Sequence, residues 1–127
     1  MAILLDSNIW IGLLNVDDLY HKKAGTLLKK IKEKIILPEY VILEVATIIS
    51  QKVNKETSND FIRNVIDNKD IEIFSSSREF LGEVMNFYLS NKEKKLSFVD
   101  YSLLYLSKKM EVLTFDKNLQ KEIKKLL

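Results

Sequence analysis

The chain has 127 residues, enough for one domain spanning 1–127, and its 46% hydrophobic content can build a core without covalent staples. It holds no cysteine and one histidine, which excludes a disulfide scaffold, a thiolate zinc site, a cysteine nucleophile and a histidine-rich metal centre. Any metal would be a hard ion held by oxygen. The net charge of +2, from 20 basic and 18 acidic residues, makes no case for nucleic acid by itself.

The first residues, MAILLDSNIW, carry no basic leader before Asp6 and do not read as a signal peptide. No apolar run approaches the roughly 20 residues of a membrane span. The expectation is a cytoplasmic protein with no membrane contact. Residues 2–5 are an apolar run that stops at Asp6-Ser7-Asn8, a strand followed by a turn or cap, with a short helix from near Ile9. Residues 18–34 suggest a helix with Ala24, Leu27, Leu28 and Ile31 on one side. Ile35-Ile36-Leu37 reads as a buried strand closed by Pro38, a residue suited to a first helical position. A helix through Val41, Val45, Ile48 and Ile49 follows, and another over Lys55–Asp67. Ile71–Phe74 predicts a short strand, 79–90 a helix, 91–95 a polar loop and 98–110 a further helix. The strand 112–115 and the helix 117–127 close the pattern. The lysine-rich pieces 29–34, 92–95 and 121–125 read as solvated helix faces.

Strands alternating with helices predict an α/β fold, with a mainly parallel sheet of four to five strands covered on both faces. Ligands then bind beyond the carboxyl ends of the strands, where acids that follow strands converge. Asp6 and Asp116 each follow a strand directly, and each has a plain alternative role as a helix N-cap. Asp100 stands in Ser97-x-x-Asp100, a capping-box pattern, yet on a helical wheel it lies between Leu103 and Leu104 and near Ser107. Glu44 sits inside a helix where no cap explains it, about 40° from Ile48 at the border of the apolar stripe. Four carboxylates gathered without cations would repel one another and raise their pKa values. A divalent ion removes that objection. Two such ions about 3.5–4 Å apart can activate a water and stabilise the departing oxygen of an in-line displacement. Ser7, Asn8 and Thr114 are placed to orient carboxylates that hold metal. His21 reads as surface or capping, and Trp10, Tyr101 and Tyr105 as core or as base-stacking rings.

The segment Ile3-Leu4-Leu5-Asp6-Ser7-Asn8-Ile9 resembles the opening of a PIN domain, where a strand ends in an acid followed by a small hydroxyl residue. Glu44 in Val41-Ile42-Leu43-Glu44-Val45 resembles the second acid of that family, Phe98-Val99-Asp100-Tyr101 the third, and Leu113-Thr114-Phe115-Asp116 the fourth. The resemblance implies a three-layer α/β/α fold and a Mg²⁺- or Mn²⁺-dependent endoribonuclease, with Asp6, Glu44, Asp100 and Asp116 as catalytic and metal-holding residues. It also implies kinship to VapC-like toxins, which dimerise and are silenced by an antitoxin whose tail enters the acidic site. His21 on the second helix resembles a position often seen in these proteins, with substrate binding as the implied role. The sequence departs from the family pattern in three places. Tyr101 follows the third acid where a small residue is usual, which would narrow the pocket. Leu119 stands where an aromatic is common, and no further edge strand follows 117–127. Three alternatives remain open: a housekeeping RNA-processing nuclease of the same family, a phosphoacceptor receiver-like domain with Lys117 after its last strand, and a metal-free binding module.

Overall fold

A computed structural model describes residues 2–92 and 95–127. Four strands, β1 (Ile3–Leu5), β2 (Ile35–Pro38), β3 (Ile71–Phe74) and β4 (Glu111–Leu113), form one parallel sheet in the order β3-β2-β1-β4. Around it, in chain order, lie α1 (Ser7–Leu14), α2 (His21–Lys30), α3 (Glu39–Lys52), α4 (Lys55–Asp67), α5 (Arg78–Ser90), α6 (Phe98–Leu106) and α7 (Lys117–Leu126).

Alternation along β1 explains the two packed faces. Ile3 and Leu5 point into one core with Trp10, Ala24, Val41, Val45 and Phe61, drawn from α1 to α4. Leu4 points the other way, into a second core with Phe80, Val84, Tyr101, Leu103 and Leu119 from α5, α6 and α7. Both faces are therefore covered, and β1 and β2 are apolar at nearly every position as a doubly covered parallel sheet requires. The architecture is the expected three-layer α/β/α fold, with four strands, all parallel.

Several boundaries differ from those the pattern suggests, each for a local reason. α2 starts at His21 rather than near Asp18, because the Asp18 carboxylate accepts from the Tyr20 amide at 2.9 Å and the Asn15 side chain accepts from the Asp17 amide at 3.1 Å. These side-chain bonds hold 15–20 in turns. α6 ends at Leu106 and not at Met110, and the following amides of Lys108 and Lys109 reach back to Tyr105 and Leu106 in tighter turns. β4 stops at Leu113 rather than Phe115, since the Phe115 amide is taken by the Asn8 side chain. Pro38 is the last strand residue and the residue preceding α3, not its first turn. Part of the polar loop expected over 91–95 and of its lysine run, Glu93 and Lys94, lies outside the described residues, as does Met1.

Candidate active site

Because all four strands run the same way, β1 and β4 deliver the residues that follow them to one edge. Asp6 comes directly after β1 and is buried, with 5% of its surface exposed. Its Oδ1 accepts from the Ser7 amide at 2.7 Å, which makes Asp6 the N-cap of α1. The Ser7 hydroxyl lies 3.4 Å from the same oxygen. Its Oδ2 accepts from the Thr114 hydroxyl at 2.7 Å and faces the Asn8 amide group at 3.4 Å. Thr114 uses its full capacity: having donated to Asp6, its oxygen accepts from Asn8 Nδ2 at 3.1 Å and from the Asp116 amide at 3.0 Å. Asn8 Oδ1 in turn accepts from the Phe115 amide at 3.1 Å. One closed network thus ties the end of β1 to the end of β4.

Burial raises the Asp6 carboxyl above the ordinary aspartate value of 3.8, against the lowering effect of the Thr114 and Ser7 hydrogen bonds, and the Asp100 and Glu44 charges push it up further. Those two acids therefore stand within electrostatic reach of Asp6. Asp100 also forms the capping box that its spacing allows: Ser97 Oγ accepts from the Asp100 amide at 3.1 Å, and Asp100 Oδ2 accepts from the Ser97 amide at 3.0 Å. Asp116 caps α7, Oδ1 accepting from the amides of Asn118 and Leu119 at 2.8 and 3.2 Å. Its Oδ2 has no protein donor among the described residues. Glu44 is exposed on α3 and has no hydrogen-bond or ion-pair partner among the described residues.

By capping α1, α6 and α7, Asp6, Ser97 with Asp100, and Asp116 bring the positive ends of three helix dipoles to the edge where the carboxylates gather. That offsets part of their mutual repulsion and favours an anion such as a phosphate.

The network leaves some expected residues aside. His21 donates through Nδ1–H to the Gly12 carbonyl at 2.8 Å, pinning the start of α2 to α1, and makes no bond to the acids. Trp10 and Tyr101 are core residues, 3% and 2% exposed, so neither offers a ring to a base. Tyr101 packs edge-on against Phe87 and Tyr88, so its ring enters the core and does not narrow a pocket. Leu119 is fully buried there too. Tyr105 is half-buried, its hydroxyl donating to Glu83 at 3.0 Å.

Tyr40 and Ser102 were not singled out by sequence reasoning. Their hydroxyls share a hydrogen bond of 2.8 Å, joining the helix that bears Glu44 to the helix that bears Asp100. Burial raises the Tyr40 hydroxyl above its usual range, and the Asp6 charge adds to the rise. Tyr40 precedes Glu44 by one helical turn, a spacing that could have marked it.

Among the described residues no three acids or histidines close to direct metal-ligating distance. The donor set nonetheless fits a hard dication that keeps several waters and takes only one or two carboxylates. It is made entirely of oxygen, it carries a carboxyl whose proton affinity is raised mainly by burial and further by the Asp100 and Glu44 charges, and Asp116 Oδ2 is unclaimed among the described residues.

Two crystal structures share this fold. VapC20 from Mycobacterium tuberculosis, described as a toxin that cleaves the sarcin-ricin loop, matches with a TM-score of 0.80 at 17% identity, over 94% of this chain and 93% of that one. VapBC2 from Rickettsia felis, bound to a DNA fragment from its promoter, matches with a TM-score of 0.64 at 16% identity, over 95% and 92% of the two chains. At such identities the likeness is one of fold. No curated protein matches by sequence. The model of one family, the PIN domain, matches residues 3–126, nearly the whole described length, and the chain belongs to the PIN-domain family.

Proposed function

We propose that this protein is a Mg²⁺- or Mn²⁺-dependent endoribonuclease, the toxin of a toxin–antitoxin pair, acting in the cytoplasm as a homodimer. The observation that carries the reading is Asp6: a buried carboxyl wired to Thr114 and Asn8, with its proton affinity raised further by Asp100 and Glu44. Such an arrangement stores negative potential for a cation. Membership of the PIN-domain family and a fold shared with VapC20 support the same reading.

Asp6, Glu44 and Asp100 would hold the ion, and Asp116, through its free Oδ2, would complete the set or orient the attacking water. When bound, such an ion lowers the pKa of water and offsets charge on the departing oxygen. The chain's own part is positioning. Thr114 and Asn8 hold the Asp6 carboxylate in one orientation, and the Tyr40–Ser102 bond fixes α3 against α6. The amide-rich starts of α1, α6 and α7 favour the phosphate at the same edge. An antitoxin tail bearing a basic side chain would neutralise these carboxylates and exclude substrate.

Digestion of structured RNAs with added Mn²⁺, wild type beside Glu44→Gln, tests the reading. The expected result is cleavage by the wild type and roughly 100-fold less by the variant. Equal activity of the two proteins, or cleavage undiminished by EDTA, would sink it. The homodimer rests on α5, where Leu81, Met85 and Leu89 recur at helical spacing and are 38%, 49% and 79% exposed. Light scattering should give twice the chain mass for the wild type and the single chain mass for Met85→Glu.

A further inference from the structure

Beside the acidic edge lies an open pocket of about 470 Å³ lined by Lys22, Lys23, Thr26, Leu27, Lys30 and Phe115. A second lysine-rich groove, lined by Lys117, Gln120, Lys121, Lys124 and Lys125 on α7, has no apolar residue in its lining. The helix α2 has four lysines and no acid, although the whole chain is nearly balanced at +2. Among the described residues none of Lys22, Lys23 and Lys30 is in an ion pair, so their charges are available to a ligand. Between them the floor is apolar. Leu27 and the small exposed part of Phe115, 8% of its surface, form it, with Tyr20 packed against the Phe115 ring at 4.7 Å between centroids. Lys23 Nζ sits 5.1 Å from the Phe115 centroid, a cation–π distance that leaves its ammonium at the rim.

Phe115 fixes where this pocket stands. It is the residue between Thr114, which hydrogen-bonds Asp6, and Asp116, which caps α7. Its amide is bonded to Asn8 of the same network. The basic pocket is thus joined to the carboxylate site by a single residue.

We infer that the α2–Phe115 pocket is a substrate subsite that takes a nucleotide flanking the scissile phosphate of single-stranded RNA, its ribose or base edge against Leu27 beside Phe115 and its phosphate on Lys22, Lys23 and Lys30. The inference rests on the ribonuclease reading for the direction of the strand, but binding at the pocket can be measured without cleavage. Apolar floors with cationic rims are how sequence-tolerant sites hold single strands. The division of labour also follows from charge. The acidic edge repels a phosphodiester until a cation is bound, so attraction for the strand must come from cations beside it.

The test is fluorescence anisotropy of a short fluorescein-labelled oligouridylate with the full chain in EDTA, over a range of KCl concentrations. Wild type is compared with Lys22→Gln/Lys23→Gln/Lys30→Gln. A second variant, Lys34→Gln/Lys69→Gln, alters lysines that precede β2 and β3 at the opposite edge of the sheet. Expected for the α2 variant are roughly tenfold weaker binding and a log–log salt slope shallower by about 2, three lysines at about 0.7 each for a single strand. The opposite-edge variant should match the wild type. Thermal midpoints of all three proteins check folding, and the altered α2 lysines are exposed. An unchanged slope in the α2 variant, or no binding by the wild type, overturns the inference. So does a variant that keeps the oligouridylate but loses a polyglutamate peptide, which would make the pocket a protein site. Cleavage assays separate the two readings. An unchanged KM in the α2 variant removes the subsite and leaves the ribonuclease standing. Lysine-dependent binding with no cleavage by the wild type does the reverse.

Discussion

The Thr114 hydroxyl holds three partners at once, Asp6, Asn8 and the Asp116 amide, and among the described residues no other side chain touches both β1 and β4 acids in this way. Thr114→Val keeps the shape and removes all three bonds. It should cost about 1–3 kcal/mol in urea unfolding, because buried Asp6 loses its best donor. It should also move the acid limb of the activity profile to higher pH, since the Thr114 bond is one of the effects that lower Asp6. Glu44→Gln acts in the opposite sense. A folded-state pKa raised above 3.8 means that Asp6 contributes stability fully present below 3.8 and lost as pH rises through its folded value. Removing the Glu44 charge reduces that loss. The variant should melt at or above the wild-type temperature at neutral pH, and the gap should close as pH falls below 3.8. A variant that melts lower at neutral pH would contradict this account of Asp6. All four acids were legible as candidates because each follows a strand, starts a helix or breaks an apolar stripe. The capping roles of Asp6, Asp100 and Asp116 were legible too, and they hold. What the sequence could not show is the Thr114–Asn8–Asp6 network, since it joins residues more than 100 positions apart. The Tyr40–Ser102 bond was missed because its partners are 62 positions apart and neither type is diagnostic alone.

Helix caps and helix contacts carry predictions of their own. Ser97→Ala removes the capping side chain of α6, so a loss of about 1 kcal/mol is expected by denaturation. It also frees the first turn that carries Asp100, so activity should fall with it. At the α1–α2 contact, a Cβ on Gly12 would meet the Tyr20 carbonyl at 3.3 Å and Ala24 Cβ at 3.4 Å. Gly25 and Gly82, inside α2 and α5, have nothing within 4 Å of that position. Thermal melts should therefore show Gly25→Ala and Gly82→Ala each stabilising by roughly 0.5–1 kcal/mol, and Gly12→Ala giving no such gain. The order of helices and strands was readable from period and apolar runs. Their ends were less so, because the 15–20 turn and the stop of β4 are set by side-chain bonds to single amides.

Strand order joins the start of the chain to its end. β1 is central, paired with β2 on one side and with β4 on the other, and Thr114 meets Asp6 across 108 positions. If this joint holds a dication, Mn²⁺ at about a hundredfold above its Kd should stabilise the wild type by about 2.7 kcal/mol. Glu44→Gln should gain clearly less in the same melts, and equal gains would separate metal binding from these acids. Contacts so distant in sequence form late in folding, after the loop between them has closed. Thr114 and Asp116 are also the last of the site residues to be synthesised. A growing polypeptide on the ribosome therefore carries Asp6 and Glu44 well before the residues that tie the Asp6 carboxylate to the end of β4. Until that segment emerges, Asp6 lacks the Thr114 hydroxyl that holds its carboxylate in the finished fold.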